Sequence, residues 1–231
     1  MRQVSTVVIV MPAFNEAAVI SSVLSKIPAR IDSFATTVVV VDDGSTDGTS
    51  ELAREAGALV LRHLTNLGVG AATITGLRAA KQLDADIIVT MDADGQHDPA
   101  QIEKLVHCLI EGPFDVVIGS RLFSSSEMPP TRVAANLLLN LLTFVVYRKI
   151  VVDSQSGFKV FSKQALAAMD LKASGYEICS EIIGEIYRKN LRYKSAPINA
   201  AYTRYSRSKG QHFLNGINLI LGLFERLMRR I

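Results

Sequence analysis

Short apolar segments rich in valine and isoleucine alternate along the chain with longer segments whose apolar residues recur every three or four positions. The short segments predict β-strands and the longer ones predict helices. The predicted strands are Thr6–Met11, Thr37–Val41, Leu59–Arg62, Ile87–Met91 and Val116–Gly119. The predicted helices lie around Ala17–Lys26, Gly48–Ala56, Gly70–Gln82 and Pro99–Ile110. Because the strands are apolar along their whole length, we expect an α/β fold with a mostly parallel sheet covered by helices on both faces.

Two apolar segments in the second half of the chain depart from this alternation. Val133–Tyr147 carries no charged residue, but it is too short to cross a bilayer comfortably, since a span needs roughly 20 apolar residues. Phe213–Ile231 predicts an amphipathic helix that ends in a basic cluster. Both helices either pack within the protein or lie in the plane of a membrane surface. We expect one domain over residues 1–210, and a C-terminal helix over 211–231 that contacts a membrane or a partner.

The composition fits a folded domain rather than a disordered or nucleic-acid-binding chain. The 231 residues suit one α/β domain, and the net charge of +3 is too small to indicate a nucleic-acid partner. Two cysteines without metal-type spacing favour a reducing, cytoplasmic setting. The first apolar segment ends at Pro12, which predicts a buried strand rather than a signal peptide. A mean hydropathy of +0.24 favours an apolar surface that meets lipid or a partner.

Polar clusters follow four of the predicted strands. In open α/β sheets, ligands bind beyond the carboxyl ends of the strands. The clusters are Pro12–Glu16, Asp42–Gly48, Asp92–His97 and Gly119–Arg121. Four such clusters at one edge indicate a ligand site more readily than four unrelated turns.

Asp92 and Asp94 form the cluster with the clearest chemistry. Residues two apart at the end of a strand point to the same side, so the two carboxylates are expected to converge. Their mutual repulsion is relieved by a cation between them, and oxygen ligands suit Mg²⁺ or Mn²⁺. The alternative is an ordinary solvated Asp-Gly turn.

Asp42 and Asp43 begin a motif that also suits a turn. One of Ser45, Thr46 and Asp47 is expected to cap the helix that follows. A carboxylate also accepts hydrogen bonds from nucleobases, so Asp42 or Asp43 is alternatively a nucleobase contact. The residues themselves leave both interpretations open.

Two common nucleotide-binding motifs are absent from the sequence. Gly68 and Gly70 superficially resemble a dinucleotide loop, but Thr73 stands where the third glycine belongs. No P-loop sequence occurs, which disfavours a P-loop kinase or ATPase. We expect the two glycines to let the backbone turn tightly before a helix.

The motifs PAFNE, DDGSTDG, NLGVGAA, DADGQH, GSR, DSQSGF and RYSRSKG together resemble the family 2 glycosyltransferases of GT-A fold. The resemblance extends from about Val7 to Gly210, and is strongest to the dolichyl-phosphate mannose synthases and polyprenyl-phosphate glucosyltransferases. It implies a metal-dependent, inverting transfer of a hexose from a nucleotide-sugar of the GDP-mannose or UDP-glucose type. The implied acceptor is a dolichyl or polyprenyl phosphate.

The resemblance also implies roles for individual residues. The nucleoside pocket is expected to include Pro12, Phe14, Glu16, Asp42 and Asp43. The metal and the donor diphosphate are expected to contact Asp92, Asp94 and Gln96. Basic groups near the phosphates are expected to be Arg121, Arg132, Arg204 and Lys209. Catalysis is therefore assigned to Asp94, Arg121 and Arg204. A tyrosine is common in the family where Phe14 stands, so a hydroxyl contact is missing there.

The predicted basic residues agree with a phosphate acceptor. A sugar hydroxyl needs a positioned base, whereas a phosphate is already ionised at neutral pH and needs charge screening instead. The guanidinium group of arginine binds phosphate through two parallel hydrogen bonds. The predicted location is the cytoplasmic face of a membrane, with a membrane-protein subunit as a further partner.

Three other functions compete with this one. A sugar or peptide hydroxyl acceptor requires a carboxylate base, such as Asp94. A non-catalytic subunit of a membrane glycosyltransferase complex would have no need of Asp92, Asp94 and Arg204. A nucleotidyltransferase is disfavoured because the N-terminal loop is neither glycine-rich nor lysine-bearing.

Overall fold

The computed structural model describes residues 5–121, 140, 144 and 153–199. In this part of the chain, eight strands form one sheet that is flanked by six α-helices. The strands are β1 (Thr6–Ala13), β2 (Arg30–Ile31), β3 (Phe34–Asp42), β4 (Leu59–Arg62), β5 (Ile87–Thr90), β6 (Val116–Ser120), β7 (Lys159–Ser162) and β8 (Tyr193–Pro197). The helices are α1 (Ile20–Leu24), α2 (Thr49–Glu55), α3 (Val69–Gln82), α4 (Ile102–Glu111), α5 (Lys163–Ala168) and α6 (Ile178–Arg188), with a 3₁₀ turn over Pro99–Gln101.

All five predicted strands and all four predicted helices are present; β4 has the predicted ends, and the ends of the other elements are shifted. Helix α1 is shorter than predicted, whereas β1 continues through Pro12 to Ala13. The backbone carbonyl of Val10 accepts the Met91 N–H from the side of β5. Backbone groups of residues two apart point to the same neighbouring strand, so the backbone nitrogen of Pro12 also faces the β5 side. The pairing of β1 with β5 stops at Val10. Pro12 therefore extends the strand without losing a hydrogen bond of the ladder.

The sheet is mixed, in the order β2-β3-β1-β5-β7-β6-β8, with β4 paired to β3. Parallel pairs join β1 to β3, β1 to β5, β3 to β4 and β6 to β8, so parallel pairs are the majority among the described residues, as predicted. Strand β7 was not predicted; it runs antiparallel between β5 and β6. Because it is reversed, β7 begins at the edge where β5 and β6 end. This brings residues 156–158 next to the polar clusters.

Two apolar cores lie on opposite faces of the sheet. Val7, Ile9 and Met11 of β1 belong to one core, which α1 and α4 cover. Val8 and Val10 belong to the other, which α3, α5 and α6 cover. Burial on both faces explains why the strands are apolar throughout rather than alternating.

Several predicted features lie outside the described residues. They include Arg132, Arg204, Lys209 and the C-terminal helix over 211–231. The predicted helix over Val133–Tyr147 is described only at Asn140 and Phe144, both of which are helical. Among the residues that the structure does describe, no helix combines the length and the apolar character that a membrane span requires.

Helix α3 packs closely on the sheet at Gly76. A Cβ atom at position 76 would lie 2.2 Å from Cγ1 of Val10 and 3.2 Å from Cγ2 of Val41. Both valines are fully buried, and their branched side chains have few alternative rotamers. Glycine therefore sets the distance between α3 and the central strands.

Gly76→Ala is expected to lower the free energy of unfolding by about 1–3 kcal/mol, because the added methyl group overpacks the core. This loss outweighs the gain of about 1 kcal/mol in helix propensity. Urea denaturation measures the change. The control is Arg78→Ala on the exposed side of the same helix, for which a change within about 0.5 kcal/mol is expected. Equal stability of Gly76→Ala and the unaltered protein would contradict this account of the packing.

Candidate active site

Asp92 and Asp94 lie in the loop that follows β5 at the carboxyl edge of the sheet. The Asp94 carboxylate accepts the Gln96 N–H at 2.8 Å, which holds the loop in a tight turn. Burial raises the pKa of Asp92 above its usual range, although Arg121 and Lys159 oppose the shift. Burial also raises the pKa of Asp94, and the neighbouring Asp92 charge raises it further. The two carboxylates therefore repel each other in a poorly hydrated cleft.

This donor set fits a hard divalent cation. Two repelling carboxylates are stabilised when a cation lies between them, and oxygen ligands are those that Mg²⁺ and Mn²⁺ prefer. The Asp92 side chain is 38% exposed, so the cleft is open to a cation from solvent. Gln96, the third predicted ligand, is buried, and its Oε1 accepts from Arg121 Nη1 at 3.2 Å. The roles of these three residues as ligands stay predictions.

His97 lies beneath this loop with its side chain fully buried. Its Nδ1 accepts the Asp92 N–H at 3.4 Å, and its ring lies 5.2 Å from the Phe158 ring. Burial lowers the pKa of His97 to about 4, so the imidazole is neutral at physiological pH. Because Nδ1 accepts, Nε2 carries the proton; it has no hydrogen-bond partner within the described part of the chain. His97 therefore supports the backbone of the loop.

Gly157 approaches Asp92 from the start of β7. A Cβ atom at position 157 would lie 2.5 Å from Oδ1 of Asp92. The Gly157 carbonyl accepts from the Thr90 hydroxyl at 2.8 Å, which holds the two segments together. The sequence pointed to the Ser-Gly-Phe motif, but not to this contact, which depends on the unpredicted antiparallel strand.

Arg121 follows β6 and forms a buried ion pair with Asp153. The Asp153 carboxylate accepts from Arg121 Nε at 2.9 Å, from Nη2 at 2.8 Å and from the Arg121 backbone N–H at 2.8 Å. Burial acts to raise the pKa of Asp153, but the hydrogen bonds from Arg121 outweigh it and lower that pKa. Asp153 was not among the predicted site residues, although its motif was recognised. The guanidinium thus contacts both Asp153 and Gln96.

Hydrogen bonds join the loop after β1 to the loop after β3 and to the start of α2. The backbone N–H groups of Asn15, Glu16 and Ala17 donate to side-chain oxygens of the second loop and of the first residue of α2, at 2.9, 2.8 and 3.1 Å. In return, the Thr46 N–H donates to the Asn15 side chain at 2.9 Å. Asn15 adopts a left-handed conformation with φ 53°. The predicted nucleoside residues therefore stand at the ends of β1 and β3 and on the two interlocked loops that follow, with Phe14 41% exposed and Glu16 buried.

Asp42 and Asp43 are both buried, and both organise these loops. Asp42 accepts the Ser45 N–H at 2.8 Å and the Ser50 hydroxyl. Asp43 accepts the backbone N–H groups of Leu67 and Gly68 at 2.9 and 2.8 Å. Its Oδ1 also lies 2.7 Å from His63 Nδ1, a contact that the sequence did not indicate. The turn, one of the two interpretations left open, is present, but the N-cap of α2 is Gly48 without a side-chain cap, so the expectation that Ser45, Thr46 or Asp47 caps this helix was wrong. Contact with a nucleobase stays a prediction.

A turn at residues 173–176 closes this side of the cleft. Gly68 has φ 99°, and a Cβ atom there would lie 2.5 Å from the Ser174 carbonyl oxygen. A Cβ atom at position 70 would lie equally close, 2.5 Å, to the Ala173 carbonyl oxygen. The two glycines thus permit a tight turn, as predicted, and also this close approach. This segment carries Tyr176, whose pKa is raised by burial and by the Asp92, Asp94 and Glu16 charges. Its position could not be inferred from the sequence.

A further cluster of potential cation ligands lies away from this edge. Asp32 precedes β3, at the end of that strand opposite to Asp42. Its carboxylate lies 2.7 Å from Nε2 of His107 on α4, and Glu103 is near both. The cluster is therefore separate from the site built around Asp92.

Comparison with known proteins decides the family. Residues 8–169 match the profile described as glycosyl transferase family 2. The chain belongs to glycosyltransferase family 2. It is 35% identical to the UDP-N-acetylglucosamine–dolichyl-phosphate N-acetylglucosaminyltransferase of Methanococcus voltae, covering 96% of both chains. It is 28% identical to the undecaprenyl-phosphate mannosyltransferase of Micrococcus luteus, covering 88% of this chain and 86% of that one.

A solved structure supports the same grouping at the level of the fold. The glucosyl-3-phosphoglycerate synthase of Mycobacterium tuberculosis, in complex with Mn²⁺, UDP and phosphoglyceric acid, is similar with a TM-score of 0.74. The identity is 22%, and the match covers 96% of this chain and 78% of that one. The predicted GT-A fold and the predicted enzyme class, a glycosyltransferase, are confirmed. The family match includes Asp92, Asp94 and Arg121 but ends before Arg204 and Lys209.

Asp43→Ala is expected to loosen the loop over residues 63–70, because it removes the acceptor of two backbone N–H groups and of His63. Amide hydrogen exchange in this loop should accelerate, and the free energy of unfolding should fall by about 2–3 kcal/mol. Hydrogen-exchange mass spectrometry and urea denaturation measure the two effects. Asp98→Ala is the control, since exposed Asp98 accepts from Ala100 in a different loop. Unchanged exchange over 63–70 in Asp43→Ala would show that Asp43 does not hold the loop.

Proposed function

We propose that this glycosyltransferase moves a hexose from a nucleotide-sugar to the phosphate of a polyprenyl lipid of the dolichol type. The proposal rests mainly on the contact between Arg121 and Gln96, which puts a cationic side chain beside the predicted metal ligands. A site of this kind binds two anions at once: the donor diphosphate at the metal and the acceptor phosphate at the arginine.

On the donor side, Asp92, Asp94 and Gln96 would hold Mg²⁺ or Mn²⁺ against the diphosphate. The bound cation would supply Lewis-acid stabilisation of the negative charge on the leaving nucleoside diphosphate. The interlocked loops that carry Pro12, Phe14 and Glu16 would form the wall of the nucleoside pocket. Asp42 and Asp43 would hold that wall in shape, with a direct nucleobase contact as their further predicted role.

On the acceptor side, Arg121 would offset the charge of the incoming phosphate. Asp153 holds the guanidinium in a fixed orientation, so little conformational entropy is lost when it meets an anion. The predicted contributions of Arg132, Arg204 and Lys209 would add to this charge.

The reaction would be a direct displacement with inversion at the anomeric carbon. An oxygen of the acceptor phosphate forms the new bond to that carbon, while the bond to the donor diphosphate breaks. The nucleophile is already an anion at neutral pH, so no side chain has to remove a proton from it. Arg121 serves by reducing the repulsion between two anions, and the cleft serves by aligning them.

The relatives support this choice of acceptor. The names of both the Methanococcus voltae and the Micrococcus luteus enzymes specify a polyprenyl-type phosphate acceptor, although they specify different sugars. A sugar hydroxyl acceptor is the second candidate, with Asp94 as base. We further propose that the protein works at the cytoplasmic face of a membrane, where the lipid phosphate and a membrane-protein subunit would meet it.

The decisive experiment supplies a short polyprenyl phosphate and Mn²⁺ with UDP-N-acetylglucosamine, UDP-glucose or GDP-mannose in turn, and measures the release of nucleoside diphosphate. Release is expected to depend on the lipid and to favour one donor. Asp94→Asn is expected to reduce it by about 100-fold or more, since a ligand charge at the leaving group is lost.

The matched control is Asp98→Asn, which alters an exposed carboxylate four residues away and should leave turnover unchanged. Release of nucleoside diphosphate at the same rate with and without the lipid would refute the phosphate acceptor but not the glycosyltransferase activity. Full activity of Asp94→Asn would refute the metal site.

Binding of Mn²⁺ is expected to weaken as the pH is lowered, and to do so at a higher pH than at a site of ordinary carboxylates. The raised pKa values of Asp92 and Asp94 mean that protons compete at a higher pH than for ordinary carboxylates. Affinity is therefore complete above the raised pKa values and is lost as the pH falls through them. Electron paramagnetic resonance of free Mn²⁺ measures the change, and Asp94→Asn should show a shallower dependence. Equal pH dependence in the unaltered protein and in Asp94→Asn would contradict the assignment.

A further inference from the structure

Lys159, in β7, is a buried lysine that the proposed reaction does not use. Only 1% of its surface is exposed. Its Nζ donates a hydrogen bond to the carbonyl oxygen of Ser156, which is a neutral acceptor rather than a carboxylate. Its strand neighbours Phe158, Val160 and Phe161 are fully buried and apolar.

An ammonium group in such a place needs compensation. Lysine is almost never fully buried unless it is paired, because the loss of hydration disfavours the charged form. A residue that only filled space between β5 and β6 would be more stable as methionine or leucine. The positive charge of Lys159 therefore has to be offset by negatively charged groups that lie slightly farther away than the Ser156 carbonyl.

The strand register places the residues of the candidate active site close to the Lys159 side chain. Lys159 pairs with Thr90 of β5, and paired residues project to the same face of a sheet. Asp92 follows Thr90 by two residues, so its side chain leaves β5 toward that face as well. The positive charge of Lys159 opposes the burial-induced rise in the pKa of Asp92 and helps to lower that of Asp153.

The backbone between the two side chains completes the link. The Ser156 carbonyl binds the Lys159 ammonium group, and the next residue, Gly157, is in close contact with the Asp92 carboxylate. The Thr90 hydroxyl fixes the Gly157 carbonyl from the other side. A displacement of Lys159 would thus be passed to Asp92 through two consecutive residues.

We propose that Lys159 is a positioning residue of the active site, whose ammonium group holds the Ser156–Gly157 backbone against Asp92 and places a fixed positive charge behind that carboxylate. Its consequence for the donor rests on the function proposed above. A positive charge behind the metal ligands favours the anionic diphosphate in front of them. Its pairing with Asp92 is independent of that function.

A double-mutant cycle tests the pairing in the absence of any ligand. Lys159→Met, Asp92→Asn and the double variant are unfolded in urea. Each single variant leaves one charge without its counterpart, so the double variant should be less destabilised than the sum of the two single effects. Strictly additive effects would overturn the pairing. If Lys159→Met alone does not fold, the double variant should still fold, and its failure would also overturn the pairing.

Nucleotide binding tests the consequence for the donor. Isothermal calorimetry with UDP and with GDP, at saturating Mn²⁺, should show about tenfold weaker binding to folded Lys159→Met, the size expected when one unit charge inside a protein is removed from near a bound anion. Lys159→Arg should retain most of the affinity. The control Lys163→Met removes an exposed lysine that pairs with Asp84, and should bind as the unaltered protein does.

The two experiments separate the two hypotheses. Unaltered nucleotide affinity in folded Lys159→Met would overturn the role of Lys159 toward the donor. Failure of the unaltered protein to bind either nucleotide would instead refute the proposed function, and the double-mutant cycle would still decide whether Lys159 and Asp92 act as a pair.

Discussion

The antiparallel strand β7 is the constraint on which the site depends. Asp92–Gln96 follow β5 and Arg121 follows β6, but these two strands are not neighbours in the sheet. β7 separates them and pairs with both, while its reversed direction brings Gly157 to the same edge. One short strand therefore fixes the distance between the predicted metal ligands and the predicted phosphate-binding arginine.

Charges in this cleft are compensated before any ligand arrives. Asp153 pairs with Arg121 and orients it toward Gln96, and the positive charge of Lys159 acts on both Asp92 and Asp153. Buried charges contribute little net stability, because the loss of hydration offsets most of their attraction. What they contribute here is orientation: Asp153 holds the Arg121 guanidinium, which in turn reaches Gln96 in the loop after β5. Such preorganisation is the usual source of electrostatic catalysis.

The strands that are apolar on both faces, and the polar clusters that follow them, could be predicted from the sequence, because each depends on a local pattern of residues alone. The convergence of Asp92 and Asp94 on one cation, which the geometry of a strand end suggests, stays a prediction. The sequence was not sufficient for Asp153, Lys159 or Tyr176. The partner of Arg121 is 32 residues away, and Lys159 looks like a surface residue until the sheet order is known. Non-local register, rather than residue type, decides these contacts.

The interlocked loops after β1 and β3 would determine how a nucleotide-sugar binds in the proposed nucleoside pocket. Their hydrogen bonds join backbone to side chain in both directions across about 30 residues of sequence. Neither loop can adopt a different shape unless the other also changes. An incoming nucleotide would then meet two loops that hold each other in shape, and discrimination between bases would come from that fixed shape. Evolution toward a new donor would then require coordinated changes in two distant segments, so that donor choice is resistant to single substitutions.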